Sequence, residues 1–264
     1  MQVSDASNAL QYAESDGLQI AYEVHGNGAP IMLIPGFTQS RDAWKISGHV
    51  AALVNAGWRV ILIDPRGHGA SDKPHDPAAY GVDAVVRDIV ALLNKLQIGT
   101  VVLVGYSRGS WVAMATAIRF PHRVRAVIAG GAHPYAEDMS AFRNAIAGGL
   151  DHWIDLLESR TGSLSPDARA MVLANDPRAL HRIVANDRED LSTDLARSGI
   201  PVLLYSGSND PRSAAARQFA ATTPSADFVE VQDLDHFQGF FAVEPVVTLA
   251  ERVRHGVRSI SAAG

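Results

Sequence analysis

Short apolar runs alternate with helical patterns along most of the chain. Leu18–His25 alternates apolar and polar residues, which predicts a half-buried strand, and the runs Ile31–Ile34 and Arg59–Ile63 predict buried strands. Val82–Leu96 carries apolar residues at helical intervals. Buried strands that alternate with helices are typical of a parallel sheet covered on both faces, so the pattern predicts an α/β fold. Further strands are predicted at Thr100–Val104, Val124–Ala129, Pro201–Ser206 and Asp227–Val231, and further helices at His49–Ala56, Ser110–Phe120, Ser213–Ala221 and Val243–Val257.

The pattern changes between about His133 and Ser198, where no buried strand is predicted. The insertion of residues 133–198 is too short to be assumed to fold alone, so we expect it to lie over the sheet as a helical cap. The sequence therefore predicts a core of residues 16–132 and 199–264, a cap of residues 133–198, and a loose lead-in of residues 1–15. Helical stretches in the cap are predicted at Ala141–Leu150, His152–Glu158, Asp167–Leu173 and Arg178–Ala185.

Composition sets limits on the class of protein. A chain of 264 residues, 47% of them hydrophobic, can bury one large core. A formal net charge of −5 gives no electrostatic reason to bind nucleic acid or an anionic membrane. The absence of cysteine excludes disulfides, thiolate catalysis and cysteine-based metal sites. Met1–Leu10 lacks the pattern of a signal peptide and no apolar run is long enough to span a membrane, so we expect a cytoplasmic protein, either a monomer or a homodimer.

The strongest chemical signal is Gly105-Tyr106-Ser107-Arg108-Gly109, between a predicted strand and a predicted helix. Such a turn strains its central residue and crowds its neighbours, and glycines two positions away on either side relieve the crowding. A Gly-x-Ser-x-Gly match alone also occurs in ordinary glycine-rich turns, but the preceding strand and the following helix favour a nucleophile. We therefore predict that Ser107 is a catalytic nucleophile.

A serine nucleophile needs a base, and the base needs an orienting acid. Asp210 follows one predicted strand and His236 follows the next, so both are expected at the same sheet edge as Ser107. Asp210 could instead cap the helix that follows it. Asp233 and Asp235 are rival acids, but both are too close to His236 along the chain to reach it comfortably. The sequence thus predicts a Ser107-His236-Asp210 triad.

Acyl chemistry also needs donors for the oxyanion. The backbone N–H of Arg108, the residue after the nucleophile, is expected to be one donor. The N–H of Phe37, in the loop after Ile31–Ile34, is the best candidate for the second. Phe37, Tyr106, Trp153 and Phe237 are our candidates for lining the substrate pocket.

The sequence resembles the α/β-hydrolase superfamily from Leu18 to Val257. Besides the Ser107 turn, the segment from Asp64 to Asp72 (Asp-Pro-Arg-Gly-His-Gly-Ala-Ser-Asp) matches esterase-like, C–C-hydrolase-like and epoxide-hydrolase-like members, in which it is mainly structural. The resemblance implies an α/β-hydrolase fold with a mostly parallel sheet. It gives Arg66, His68, Ser71 and Asp72 no catalytic role.

Two positions depart from the usual pattern of this family. Family members usually carry His-Gly where this chain has Pro35-Gly36, so the local hydrogen bonding must differ. Many relatives have methionine at the position of Arg108. The resemblance implies that the Arg108 side chain points away from the reaction; the alternative is that it recognises an acidic substrate.

The predicted activity is hydrolysis of a small or medium carboxylic ester or lactone through an acyl-enzyme. Close relatives use the same triad to hydrolyse C–C bonds of the meta-cleavage type, to cleave amides at an N-terminal proline, or for cofactor-free perhydrolysis. A ligand sensor that keeps the triad with negligible turnover is the alternative from a different class. Position 107 is serine rather than aspartate, so we expect the chain to resemble neither haloalkane dehalogenases nor epoxide hydrolases. No cofactor and no metal site is predicted, and the expected partner is a small acyl substrate.

Overall fold

An eight-stranded sheet forms the centre of the molecule. The structure is a computed structural model that describes residues 8–256; residues 1–7 of the predicted lead-in and residues 257–264 lie outside the described part. The strands are β1 (Gln11–Ser15), β2 (Leu18–His25), β3 (Ala29–Ile34), β4 (Trp58–Ile63), β5 (Val101–Tyr106), β6 (Val124–Gly130), β7 (Val202–Gly207) and β8 (Ala226–Val231). Their order is β1-β2-β4-β3-β5-β6-β7-β8. Strand β2 is antiparallel to both of its neighbours, and the pairs from β4 to β8 are parallel.

The prediction of a loose lead-in is wrong for residues 11–15, which form the edge strand β1. This strand pairs with β2 from Gln11 opposite Tyr22 to Ser15 opposite Leu18. The connecting residues Asp16 and Gly17 both have positive φ, 53° and 79°, which suits a tight hairpin. Strand β1 has a weak apolar pattern, so its stability comes largely from the hydrogen-bond ladder that it makes with β2.

Strand β2 is more buried than its alternating sequence predicts. Residues 20–24 are all buried, and the charged member of this run is Glu23. Its carboxylate accepts hydrogen bonds from Arg41 Nε at 2.7 Å and from Lys45 Nζ at 3.0 Å. Burial raises the pKa of Glu23, but hydrogen bonds from Arg41, Lys45 and His25 outweigh it and lower that pKa to about 2. Glu23 of β2 therefore faces a second buried layer rather than solvent, whereas Gln19 is exposed.

Helices cover both faces of the sheet. In chain order they are α1 (Arg41–Ile46), α2 (His49–Asn55), α3 (Val82–Lys95), α4 (Arg108–Arg119), α5 (Ser140–Ala147), α6 (Gly149–Thr161), α7 (Pro166–Leu173), α8 (Pro177–Ile183), α9 (Ser192–Ser198), α10 (Ser213–Thr222) and α11 (Val243–Arg254). Helices α3, α4 and α10 contribute to the apolar cluster on one face, and α1, α2 and α11 to the cluster on the other. None of the helices within residues 8–256 is both long and apolar enough to cross a membrane.

The chain between β6 and β7 folds as the predicted helical cap. It contains α5 to α9, and its β-structure within the described residues is one isolated bridge between Glu137 and Arg188. Helices α5 to α8 supply a third apolar cluster, which includes Trp153 and Ile154 and also takes in Phe37 from the core. Helix α9 packs against α4, and Leu195 lies in the core cluster. The end of the predicted cap is therefore part of the layer that covers the sheet.

Side chains of the segment from Asp64 to Asp72 link the end of β4 to β2 and α3 through hydrogen bonds. Ser71 Oγ donates to the Asp64 carbonyl at 2.5 Å and accepts from the Ala21 N–H at 2.8 Å. Arg66 donates to both carboxylate oxygens of Asp88, with Nε to Oδ2 at 2.7 Å and Nη2 to Oδ1 at 2.5 Å. These buried contacts join β2, β4 and α3, which agrees with a structural role.

Candidate active site

The turn between β5 and α4 holds Ser107 in a strained conformation. Strand β5 ends at Tyr106 and α4 begins at Arg108, so one residue makes the whole connection. Ser107 has φ 52° and ψ −115°, a region that residues with a side chain rarely adopt. Its N–H donates to the Gly130 carbonyl at 2.8 Å, which anchors the turn to β6. Ser107 thus lies at the N-terminus of α4, where the helix dipole favours negative charge.

Gly105 and Gly109 allow the backbone segments of this turn to approach one another. A Cβ at position 105 would lie 2.3 Å from the carbonyl carbon of Gly109. A Cβ at position 109 would lie 2.0 Å from the carbonyl oxygen of Ile34. Both contacts involve backbone atoms that cannot move without disturbing β3 or α4. A side chain at either position would therefore collide with the backbone, which is the crowding that the sequence predicts.

Asp210 and His236 form a hydrogen-bonded pair at the carboxyl ends of β7 and β8. His236 Nδ1 and Asp210 Oδ2 are 2.7 Å apart, and the Asp210 side chain is fully buried. The other carboxylate oxygen, Oδ1, accepts the N–H of Arg212 at 2.9 Å. Burial raises the pKa of Asp210, but the hydrogen bond and charge of His236, together with Arg212, lower it overall. The carboxylate is therefore kept ionised in a buried position.

Neither rival acid contacts the His236 ring through its carboxylate. Asp235 Oδ1 accepts the N–H groups of Phe237 and Gln238, each at 2.8 Å, and so caps the short turn that follows. The N–H of Asp233 donates to Ser208 Oγ at 2.9 Å. Within residues 8–256, Asp210 is the carboxylate that contacts the His236 ring.

Tyr106 and Gly131, the residue that follows β6, lie against His236. The Tyr106 hydroxyl donates to the His236 carbonyl, and the two ring centroids are 5.4 Å apart. A Cβ on Gly131 would lie 3.0 Å from His236 Cε1, and the neighbouring Gly130 receives the Ser107 N–H. The Ser107 hydroxyl has no hydrogen-bond partner in the described part of the chain. The His236 ring thus bonds to Asp210 and lies against the glycine that follows β6, and it makes no hydrogen bond to Ser107.

The two predicted oxyanion donors lie in the turns after β3 and β5. Arg108 is the first residue of α4, so its N–H has no acceptor within the helix. Phe37 lies in the turn that follows β3, and its N–H donates to no acceptor among residues 8–256. Both N–H groups are therefore available to an incoming oxygen.

Three side chains fix the Phe37 turn through contacts that the sequence did not predict. Gln39 Oε1 accepts the Gly36 N–H at 3.0 Å. Asn175 Nδ2 donates to the Thr38 carbonyl at 3.0 Å. Trp153 Nε1 donates to Thr38 Oγ1 at 3.3 Å. Thr38 has φ 64°, so this turn is strained as well. Two cap residues thus hold a core turn, which no local sequence pattern could have revealed.

The pocket candidates separate into two groups. Phe37 and Trp153 pack edge to face with ring centroids 5.5 Å apart, and Phe237 packs edge to face on His236 at 5.5 Å. These three aromatic side chains belong to the cap cluster above the site or pack against it. Tyr106 is 3% exposed and lies in the apolar cluster on the sheet itself. Their contact with a substrate stays a prediction.

The Arg108 side chain extends into a separate cavity. That cavity is lined by residues of α4, of the turn before α3 and of the segment after α8, and Ser107 and His236 are not part of its wall. No three His, Asp or Glu side chains within residues 8–256 come together in a way that could hold a metal ion.

Residues 29–158 match a family model described as the α/β-hydrolase fold. The chain is 43% identical over 93 residues to a putative non-heme chloroperoxidase of Synechocystis sp., covering 35% of this chain and 32% of that protein. It is 32% identical over 111 residues to bifunctional epoxide hydrolase 2 of Sus scrofa, covering 42% of this chain and 20% of that protein. The matches thus span about a third or less of these relatives.

The second relative corrects one expectation, because the chain does resemble an epoxide hydrolase over part of its sequence. Among solved structures, the enol-lactonase from Burkholderia xenovorans LB400 superposes with a TM-score of 0.81 and 22% identity, covering 93% of this chain and 100% of that one. A likeness at this identity establishes the fold.

Proposed function

The chain belongs to the α/β-hydrolase superfamily, and from that premise we propose that it is a serine hydrolase of small or medium carboxylic esters or lactones. The observation that carries this proposal is the pair of His236 Nδ1 and buried Asp210 Oδ2, 2.7 Å apart, at the same sheet edge as strained Ser107. A histidine whose Nδ1–H is held by a carboxylate presents its Nε2 as a base.

The first half of the reaction forms an acyl-enzyme. His236 Nε2 accepts the hydroxyl proton while Ser107 Oγ bonds to the ester carbonyl carbon. The carbonyl electron pair moves to its oxygen, and the N–H groups of Phe37 and Arg108 stabilise the resulting negative charge. When the carbonyl re-forms, the C–O bond to the alcohol breaks and His236 gives the alcohol its proton.

The second half repeats these steps with water. His236 accepts a proton from water as its oxygen bonds to the acyl carbon, and the carbonyl then re-forms with release of Ser107 Oγ. The proton returns from His236 to Ser107, and a carboxylic acid leaves. Asp210 remains ionised throughout and holds the imidazolium in each half. The lowered pKa of Asp210 supports this role.

Ser107 also excludes from the proposal the reactions of this fold that need a carboxylate nucleophile. Epoxide and haloalkane hydrolysis need a carboxylate nucleophile that forms an ester with the substrate carbon, which a serine hydroxyl cannot replace. The similarity to an epoxide hydrolase therefore supports the scaffold and not that reaction.

The relative described as a putative non-heme chloroperoxidase favours one second candidate, the cofactor-free perhydrolysis considered above. In that reaction hydrogen peroxide replaces water as the acyl acceptor, and the product is a peracid. The same acyl-enzyme serves both reactions, so formation of a peracid when hydrogen peroxide is present would identify perhydrolysis.

The proposal is tested by turnover of p-nitrophenyl butyrate. The wild-type protein is expected to hydrolyse it, and Ser107→Ala is expected to lose at least about 10³-fold in kcat/KM, because the covalent path is removed. Ser110→Ala is the matched control, since Ser110 lies three residues along α4 and its hydroxyl bonds to the Gly130 carbonyl. Equal rates for wild type and Ser107→Ala would overturn the proposal.

A further inference from the structure

The proposed mechanism uses the N–H of Arg108 and leaves its side chain without a role. Arg108 is 5% exposed, and its guanidinium has no hydrogen-bond partner among the described residues. Its Nη1 is a fully enclosed nitrogen without an acceptor. Buried charges are normally paired because removing them from water is costly. The unpaired Arg108 guanidinium therefore indicates a bound ligand.

Arg108 lines part of a cavity of about 230 Å³. The wall also includes Tyr80 and Trp111 of the core, Arg182 of α8, and Arg188 of the segment that follows α8. Pockets for drug-sized molecules have volumes of about 300–1,000 Å³, so the occupant of this cavity is small.

The charges around the cavity do not balance. Asp187 and Glu189, the acidic residues of the wall, pair with Arg143 and Arg119 outside it. Arg188 of the wall pairs with Glu137, which also lies outside it. Arg108 and Arg182 have no carboxylate partner among residues 8–256. Two cations of the wall are therefore left without a counter-charge, which favours an anion.

Arg108 keeps its charge at neutral pH. Burial and the nearby charge of Arg188 lower the pKa of Arg108 to about 10, still well above 7. The nearest buried acid on the sheet side, Asp88, is already held by both nitrogens of the Arg66 fork. Residues 8–256 thus offer no acceptor to the Arg108 guanidinium.

We propose that the Arg108 cavity is a binding site for a small carboxylate, held by the unpartnered guanidinium. The planar fork of an arginine matches the two oxygens of a carboxylate, and hydrogen bonds between such groups are roughly twice as strong as neutral ones. The carboxylate has two possible sources. It is either a separate small acid or the far end of an ester substrate; the second source rests on the proposed function and the first does not.

Binding is tested with succinate, by calorimetry and by the shift of the unfolding midpoint, with succinamide as the uncharged comparison. Wild type is expected to bind succinate and not succinamide. Arg108→Met is expected to bind succinate about ten- to a hundredfold more weakly. Arg197→Met, which removes an exposed charge elsewhere, is expected to bind like wild type. Arg108→Gln replaces the methionine variant if that fails to fold.

Two results would overturn the carboxylate site: no succinate binding to the wild type, which leaves a water-filled cavity, or equal binding to wild type and the Arg108 variants. A further measurement distinguishes the two sources. The kcat/KM ratio of mono-p-nitrophenyl glutarate to p-nitrophenyl butyrate falls at least tenfold in Arg108→Met if the carboxylate belongs to the substrate, and is unchanged if it is a separate acid. Absence of all ester turnover would count against the proposed function while the succinate result still stands.

Discussion

At the scale of single residues, the site depends on a buried carboxylate that stays ionised. Asp210 is fully enclosed, yet His236 and Arg212 lower its pKa despite the opposing effect of burial. Its role in the proposed mechanism is to hold the His236 tautomer and to balance the imidazolium. Asp235, next to His236 in sequence, has backbone partners instead.

Asp210→Asn is therefore expected to lower kcat for p-nitrophenyl butyrate by about 10⁴-fold, because an amide favours the wrong histidine tautomer. Asp235→Asn is the matched control. It retains an acceptor oxygen for the Phe237 and Gln238 N–H groups and should change kcat by less than about threefold. Steady-state kinetics of both variants decides the matter, and similar losses in the two would contradict the assignment of Asp210.

The triad itself stays a prediction. The positions of Ser107 and Asp210 at the sheet edge could be inferred from the sequence because each follows a strongly apolar strand, and that of His236 from the less apolar β8. The supports of the Phe37 turn could not. Asn175 lies 137 residues from Thr38 along the chain, and its contact exists only once the cap has packed on the core. The unpaired state of the Arg108 guanidinium is likewise a property of the packed structure.

At the scale of elements, long segments with a clear period were predicted well, and the helices and strands that were not predicted are all short. Helix α3 and strand β2 appear at nearly the predicted bounds. Strand β1 and helices α1 and α9, each of five to seven residues, were not predicted. A short element shows too few turns or alternations for a pattern, and tertiary contacts decide its structure.

One element contact supports a stability prediction, the buried pair of Arg66 and Asp88 between the β4 end and α3. Burial raises the pKa of Asp88, although Arg66 opposes this. Arg66→Met leaves the carboxylate buried and unpaired, and is expected to lower the free energy of unfolding by about 3–5 kcal/mol in urea titrations. Arg87→Met, which removes an exposed cation from the same helix, should cost less than about 1 kcal/mol. Equal losses in the two variants would show that the buried pair is unimportant.

At the scale of the whole molecule, two buried histidines couple folding to pH. Burial lowers the pKa of His49 to about 4, and burial together with Arg108 lowers that of His68 to about 3. The unfolded chain binds protons near pH 6.5 at these positions and the folded chain does not, so stability falls as the pH drops below about 6.5.

His49 alone is expected to account for about 2 kcal/mol of the stability lost between pH 7 and pH 5. Chemical denaturation at both pH values measures the loss. His49→Gln should show a loss smaller by that amount, whatever its stability at pH 7, because glutamine does not titrate. An unchanged pH dependence in the variant would contradict the burial of a neutral histidine at position 49.

The central claim is that Ser107 is a nucleophile activated by His236. The most direct measurement is intact-mass and peptide mass spectrometry after treatment with a fluorophosphonate, which bonds to activated serine hydroxyls. The account predicts one added label, located on Ser107, with labelling abolished in Ser107→Ala and strongly slowed in His236→Ala. A label on another serine, or wild-type labelling rates in His236→Ala, would contradict it.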